Sequence, residues 1–161
     1  MFQRLGFVDA EKFICWVKKY DSQLQPEKWN GRELKNCGRS SMWFGKGVYL
    51  GLNWSIYDAT PIESGLQKRC DQLYPGFNSL LLYRYEPGSE LKPHVDREAF
   101  DHKVVIINIA QDDLFGGSTK FIYNNKTEIL SNGEIIQIDS RVRHGVAKVD
   151  RLRYSLSIRK V

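Results

Sequence analysis

Two hydrophobic periodicities divide the chain. Asp9 stands where a helix N-cap is expected, and Phe13, Trp16, Val17 and Tyr20 follow at helical spacing. The stretch before them, MFQRLGFVDAEKF, reads as a strand or loop feeding that helix. In TPIES, Thr60 and Glu63 form a capping-box pair, with Pro61 at the first helical position. Ile62, Leu66, Cys70 and Leu73 then recur on one face until Pro75 and Gly76 end the pattern. Both segments predict amphipathic packing helices with no chemistry of their own. After residue 78 the period falls to two. SLLLYRYE, KVVIINIA, TKFIY, KTEIL, EIIQI and LRYSLSIR read as strands, with turn signals at EPGSE, FGG, YNNK and SNG. Six short strands after two helices predict an α+β, mainly β domain. Its core, 78–161, is expected to be an antiparallel sandwich or jelly roll, with the helices buttressing one face. Residues 21–58 differ in kind. Rich in Gly, Lys, Arg and Trp and weak in periodicity, they predict a mobile flap with short strands.

Composition narrows the class. With 161 residues, 42% of them hydrophobic, the chain suits one domain with a real core, spanning 1–161, rather than two. No run of eighteen apolar residues exists, so no membrane span is expected, and the start lacks the apolar stretch of a signal peptide. Cys15, Cys37 and Cys70 are odd in number and form no C-x-x-C, which points to a reducing, cytoplasmic compartment rather than a disulfide or zinc framework. A monomer is expected. The net charge of +5 leans toward anionic partners, although many small enzymes are as basic without binding nucleic acid.

The candidate chemistry begins at KPHVDRE. His94 and Asp96 are two apart, so on a strand their side chains share a face roughly 7 Å apart and converge on one ion. His144 follows fifty positions later in SRVRHGV. Two imidazoles and a carboxylate on one side of an ion leave its other positions open, which is the facial triad of non-haem Fe(II) oxygenases. H-x-D alone is more often a surface salt pair, and His102 reads as an ordinary surface residue. The last strand adds weight. Leu152, Tyr154, Leu156 and Ile158 take one face of it, and Arg153, Ser155, Ser157 and Arg159 take the other. Arginines at both ends of a polar face suit a dicarboxylate between them, because the guanidinium fork matches a carboxylate bidentately. Tyr83 and Tyr85, sharing a face of LLLYRYE, offer hydroxyl donors. The bland alternative is a solvated strand face; His144, nine positions before Arg153, argues against it.

On these residues the chain resembles the Fe(II)/2-oxoglutarate dioxygenases, which combine H-x-D, a distal His and a basic residue about ten positions later. The second arginine, in RYSLSIR, and the stretch LLYRYEPGSELKPHVD resemble the AlkB-like subfamily, over residues 61–159. The resemblance implies a double-stranded β-helix, with Fe(II), 2-oxoglutarate and O2 as cofactor and co-substrates. It implies that His94, Asp96 and His144 ligate the catalytic iron. Arg153 and Tyr85 would hold the distal carboxylate of 2-oxoglutarate, and Arg159 would act near its metal-binding end. Tyr83 and Ser155 stand where AlkB relatives usually carry asparagine, and FGGSTKF is closer to the prolyl-hydroxylase-like branch. These departures leave the co-substrate chemistry intact and the prime substrate open.

In AlkB-type enzymes an N-terminal lid holds a flipped, methylated base. Trp43, Phe44 and Tyr49 in SSMWFGKGVYLGL are candidates for stacking, with Trp43 and Tyr49 expected to touch substrate. Lys28, Arg32, Lys35, Arg39 and Lys46 lie near them in sequence, partly offset by Asp21, Glu27 and Glu33. Glu98 matches an acidic substrate contact that would favour a cationic base such as 1-methyladenine or 3-methylcytosine. The expected activity is oxidative demethylation of N-alkylated bases in single-stranded or flipped-base nucleic acid, releasing succinate, CO2 and formaldehyde. The alternatives are hydroxylation of a small molecule, peptide or protein side chain, and a jelly-roll binding module without turnover.

Overall fold

The computed structural model describes residues 1–34, 38–110 and 118–161. The FGG turn, Lys35 and Cys37 lie outside the described residues. Strand β1 (Gln3–Phe7) leads into helix α1 (Ala10–Lys18), and Asp9 caps it by accepting the Lys12 amide at 3.2 Å, as expected. Short strands β2 (Gln25–Pro26), β3 (Lys28–Trp29) and β4 (Arg32–Glu33) follow, then β5 (Arg39–Tyr49), β6 (Ser55–Asp58) and helix α2 (Ser64–Leu73). The remaining strands are β7 (Ser79–Tyr85), β8 (Leu91–His94), β9 (Lys103–Ala110), β10 (Ser118–Tyr123) and β11 (Lys126–Ser131). The chain ends with β12 (Glu134–Asp139), β13 (His144–Val146) and β14 (Arg153–Arg159).

Two antiparallel sheets form the body. The larger runs β1–β12–β9–β14–β7–β5–β2, with β6 beside β5; the smaller runs β11–β10–β13–β8. Period-two alternation gives the large sheet two buried faces. Leu80, Leu82, Ile107, Leu156 and Ile158 pack with residues of α1 and α2 on one side. Ile106, Ile136 and Ile138 meet Phe121, Leu130 and Val146 of the small sheet on the other. This is a jelly roll buttressed by two helices, the architecture that the sequence pattern predicts. No helix among the described residues is long and apolar enough to cross a membrane.

Three local expectations are corrected. Helix α2 begins at Ser64 rather than at Pro61. Thr60 does not cap it: its carbonyl accepts the Gly45 amide at 2.8 Å, because β5 draws this segment alongside as a bridge partner. The Glu63 carboxylate accepts the Tyr20 hydroxyl instead of closing a capping box. Within the segment read as a flap, residues 39–49 form an eleven-residue strand paired with β7, and Phe44 is core at 1% exposure. Finally, β8 and β13, only four and three residues long, lie outside the six strands that the period-two pattern predicts. Gly145 lets them meet: a Cβ there would lie 2.4 Å from the Leu91 carbonyl oxygen.

Candidate metal centre

The β8–β13 pairing sets His94 directly opposite His144, with ring centroids 4.7 Å apart. Asp96 follows β8, its amide bonded to the Ser140 carbonyl at 3.0 Å. Nε2 of His94 lies 3.2 Å from Asp96 Oδ1, and Nε2 of His144 lies 3.4 Å from the same oxygen. All three ligating atoms fall within 4.8 Å of one another. Each histidine Nδ1 is 2.9 Å from a backbone carbonyl, that of Lys92 or Val142. A ring nitrogen facing a carbonyl carries the hydrogen, which assigns the lone pair of each neutral imidazole to Nε2. Three acceptors thus point at one spot. They repel one another unless a proton or cation lies between them, so the donor set fits a divalent metal with open positions.

Asp96 is held ionised. Burial acts to raise its pKa, but Arg159, with His144 and His94, outweighs burial and keeps the carboxyl well below the usual range. Arg159 Nη1 contacts Asp96 Oδ2 at 2.5 Å, leaving Oδ1 to face the histidines.

The antiparallel register places Arg153, Tyr85 and Arg39 side by side on β14, β7 and β5. Arg153 is 2% exposed. Its Nε donates to Asn108 Oδ1 at 2.8 Å and its guanidinium lies over the Tyr85 ring at 4.6 Å, yet its Nη1 is buried without a hydrogen-bond partner. Burial pulls its pKa down. A buried cation with an open hydrogen-bonding position fits a carboxylate ligand. Arg39 is placed differently: it is ion-paired with buried Glu27 and lies near the Tyr83 and Tyr85 rings. The Tyr83 hydroxyl donates to Glu27 Oε1 at 3.2 Å, and burial, then Glu27, push its pKa well above the ordinary value. In the sequence Arg39 and Glu27 read as flap charges. No signal in the sequence marks them as a buried pair.

One cavity of about 830 Å³ connects these two ends. It is lined by His94, Asp96 and His144, by Arg159 and Arg153, and by Tyr83 and Tyr85. Exposed Glu98 also lines it, as do Trp29, Trp54 and the exposed cations Lys28, Arg97 and Arg143. Arg97 covers the Trp29 ring at 4.7 Å. The structure does not bring Trp43 and Tyr49 here. They line a second cavity of about 560 Å³, Trp43 stacked on Phe100 and Tyr49 on Tyr57. Trp29 and Trp54, which no pattern in the sequence singles out, line the metal cavity instead. Among the flap cations, Lys46 pairs with Asp58, while Lys28 and Arg32 are exposed. His102 lies at the surface, as expected.

No protein-family model and no curated protein sequence matches the chain. Solved structures do. OsALKBH1 superposes with a TM-score of 0.64 at 12% identity, covering 99% of this chain and 97% of that one. A Pseudomonas putida prolyl-4-hydroxylase gives 0.62 at 17% identity, covering 99% and 92%. The viral collagen prolyl hydroxylase of Paramecium Bursaria Chlorella virus-1, solved with 2OG, gives 0.61 at 12%, covering 99% and 96%. At such identities the likeness concerns the backbone, and it extends over 99% of the chain: the chain has the double-stranded β-helix fold of these Fe(II)/2-oxoglutarate oxygenases.

Proposed function

We propose that residues 1–161 form a single-domain Fe(II)- and 2-oxoglutarate-dependent dioxygenase that demethylates N-alkylated bases in nucleic acid. One observation carries the enzyme reading. A single cavity has three converging metal-type donors at one end and a buried guanidinium with an open hydrogen-bonding position at the other. When bound, Fe(II) with 2-oxoglutarate and O2 supplies the chemistry that couples decarboxylation of the co-substrate to hydroxylation of a C–H bond. The chain's own residues bind and orient. His94, Asp96 and His144 would hold the metal, and the two backbone carbonyls behind the imidazoles fix which nitrogen faces it. Arg159 fixes the Asp96 carboxylate. Arg153 would take the distal carboxylate of 2-oxoglutarate, steadied by Asn108 and by the Tyr85 ring beneath it. Tyr83, engaged with Glu27, shapes the wall instead of donating to the co-substrate.

The substrate reading rests on the cavity mouth. Exposed Trp54 offers a stacking face, and Trp29, one face of which Arg97 covers, a second, beside the cations Lys28 and Arg143, the combination that single-stranded nucleic acid requires. Glu98 at the same cavity would favour a cationic methylated base. A second reading, hydroxylation of a peptide or protein side chain, is favoured by the likeness to prolyl hydroxylases.

The test supplies Fe(II) and 2-oxoglutarate and measures succinate and formaldehyde. Oligonucleotides carrying 1-methyladenine or 3-methylcytosine are compared with peptides and free amino acids. Formaldehyde released with the methylated oligonucleotides is expected, and His94→Ala, Asp96→Ala and His144→Ala should each abolish 2-oxoglutarate turnover while the fold persists. Rapid succinate release driven by a peptide and by no oligonucleotide would select the second reading. Full activity in any of the three variants would remove the triad.

A further inference from the structure

The two cavities share a wall. Glu27, Lys28, Leu50, Leu81 and Tyr83 line both of them. Most of this wall is fixed: Leu81 is buried, and Glu27 accepts the Tyr83 hydroxyl while pairing with Arg39. Lys28 is the exception. It is exposed, and its ammonium makes no ion pair or hydrogen bond among the described residues. A free cation therefore stands where one cavity passes into the other.

Beyond this wall the second cavity is built from rings and neutral polar groups. Trp43, Tyr49 and Tyr57 present aromatic surface, and Gln23, Gln25 and Ser41 offer both donors and acceptors. Tyr49 stacks on Tyr57 with centroids 4.2 Å apart. Tyr57 lies so close over Gly47 that a Cβ there would meet its ring at 2.4 Å, so the glycine is what admits the aromatic pair over β5. Tyr49 nevertheless stays 62% exposed, an aromatic face left open to a ligand. Flat, uncharged and rich in hydrogen-bonding edges describes a nucleobase, which is recognised by stacking and by contacts to its edges.

We propose that the second cavity holds the base adjacent to the one at the metal centre, with the phosphodiester between them on the Lys28 ammonium. The inference rests on the nucleic-acid reading above. Two sockets separated by one free cation match the alternation of base, phosphate and base. The backbone of an extended peptide carries no charge between successive residues, so a peptide would meet Lys28 only through an acidic side chain, whereas every dinucleotide brings a phosphate there. Trp43 and Tyr49 thus serve the substrate one nucleotide away from the reacting base.

The test uses the full chain loaded with Fe(II) and 2-oxoglutarate without oxygen, and reads binding by calorimetry. The probes are 3-methylcytidine monophosphate, a dinucleotide of 3-methylcytidine and thymidine, and the same dinucleotide with an abasic second residue. The intact dinucleotide should bind about tenfold tighter than the abasic one, within the range expected for one base–aromatic stack. Tyr49→Ala should erase that advantage and leave mononucleotide affinity unchanged. Lys28→Gln should weaken both dinucleotides and reduce the salt slope of their binding by about 0.7, the value for one neutralised phosphate on a single strand. Equal affinity for intact and abasic dinucleotides, or a Tyr49→Ala protein that keeps the difference, overturns the adjacent-base site. Mononucleotide binding in that case leaves the nucleic-acid reading standing. Failure of every nucleotide to bind overturns both.

Discussion

Replacing Arg153 with methionine should separate the stability of the ligand-free fold from its capacity for a dicarboxylate. Arg153 is 2% exposed, its Nη1 has no hydrogen-bond partner, and burial pulls its pKa down. The ligand-free protein therefore holds this charge at an energetic cost. Exchanging a buried ionic group for an apolar side chain of similar volume is often neutral or stabilising by about 1–4 kcal/mol. Against that stand the bond from the charged guanidinium to Asn108 Oδ1, about 1.5–3 kcal/mol, and the stacking on Tyr85, about 0.5–2 kcal/mol. The two sides nearly cancel, so the melting temperature without ligand should move by only a few degrees, at about 2–4 °C per kcal/mol for a chain of this size. Binding should behave oppositely. Removing one partner of a buried charge pair costs about 3–5 kcal/mol, or roughly two to four orders of magnitude in Kd. Calorimetric titration with 2-oxoglutarate and melting curves with and without it measure both effects. Wild type should gain stability as ligand rises above its Kd, and Arg153→Met should not. A variant that binds 2-oxoglutarate like wild type refutes the assignment. One that unfolds without ligand shows that Arg153 is a structural residue.

Phe44→Ala should cost about 3–5 kcal/mol in denaturant unfolding, because the buried ring packs against Trp16 and Tyr20 at centroid distances of 5.5 and 5.0 Å. A loss below about 0.5 kcal/mol, the range of surface substitutions, would return this residue to a substrate flap. Alkylation at pH 8 followed by peptide mapping should modify exposed Cys15 and spare Cys70, whose thiol burial pushes up to about 12. Modification of Cys70 at the rate of Cys15 in the folded protein would show that the packing of α2 opens readily.

Local pattern was enough for the features whose period is written into neighbouring residues. The alternation in RYSLSIR puts Tyr154, Leu156 and Ile158 in the core and both arginines on the opposite face, as the structure has them. Asp9 caps α1 by a bond three residues long, and the short H-x-D spacing keeps His94 and Asp96 together even though Asp96 lies just past the end of β8. Long-range register decided the rest. His144 faces His94 only because β13 pairs with β8, and these strands are too short to show a period. Glu27 and Arg39 look like solvated charges until β5 enters the large sheet and buries them against Tyr83. Thr60 looks like a helix cap until the same strand takes its carbonyl. Trp29, Trp54, Trp43 and Tyr49 are equally plausible stacking residues in one dimension. Which of them meets the metal cavity depends on how β3 and the chain around Leu50 fold over the sheet. Periodicity follows from backbone geometry within a segment, so it can be read from that segment alone. Burial and proximity depend on which segments pair, and pairing is a property of the whole chain.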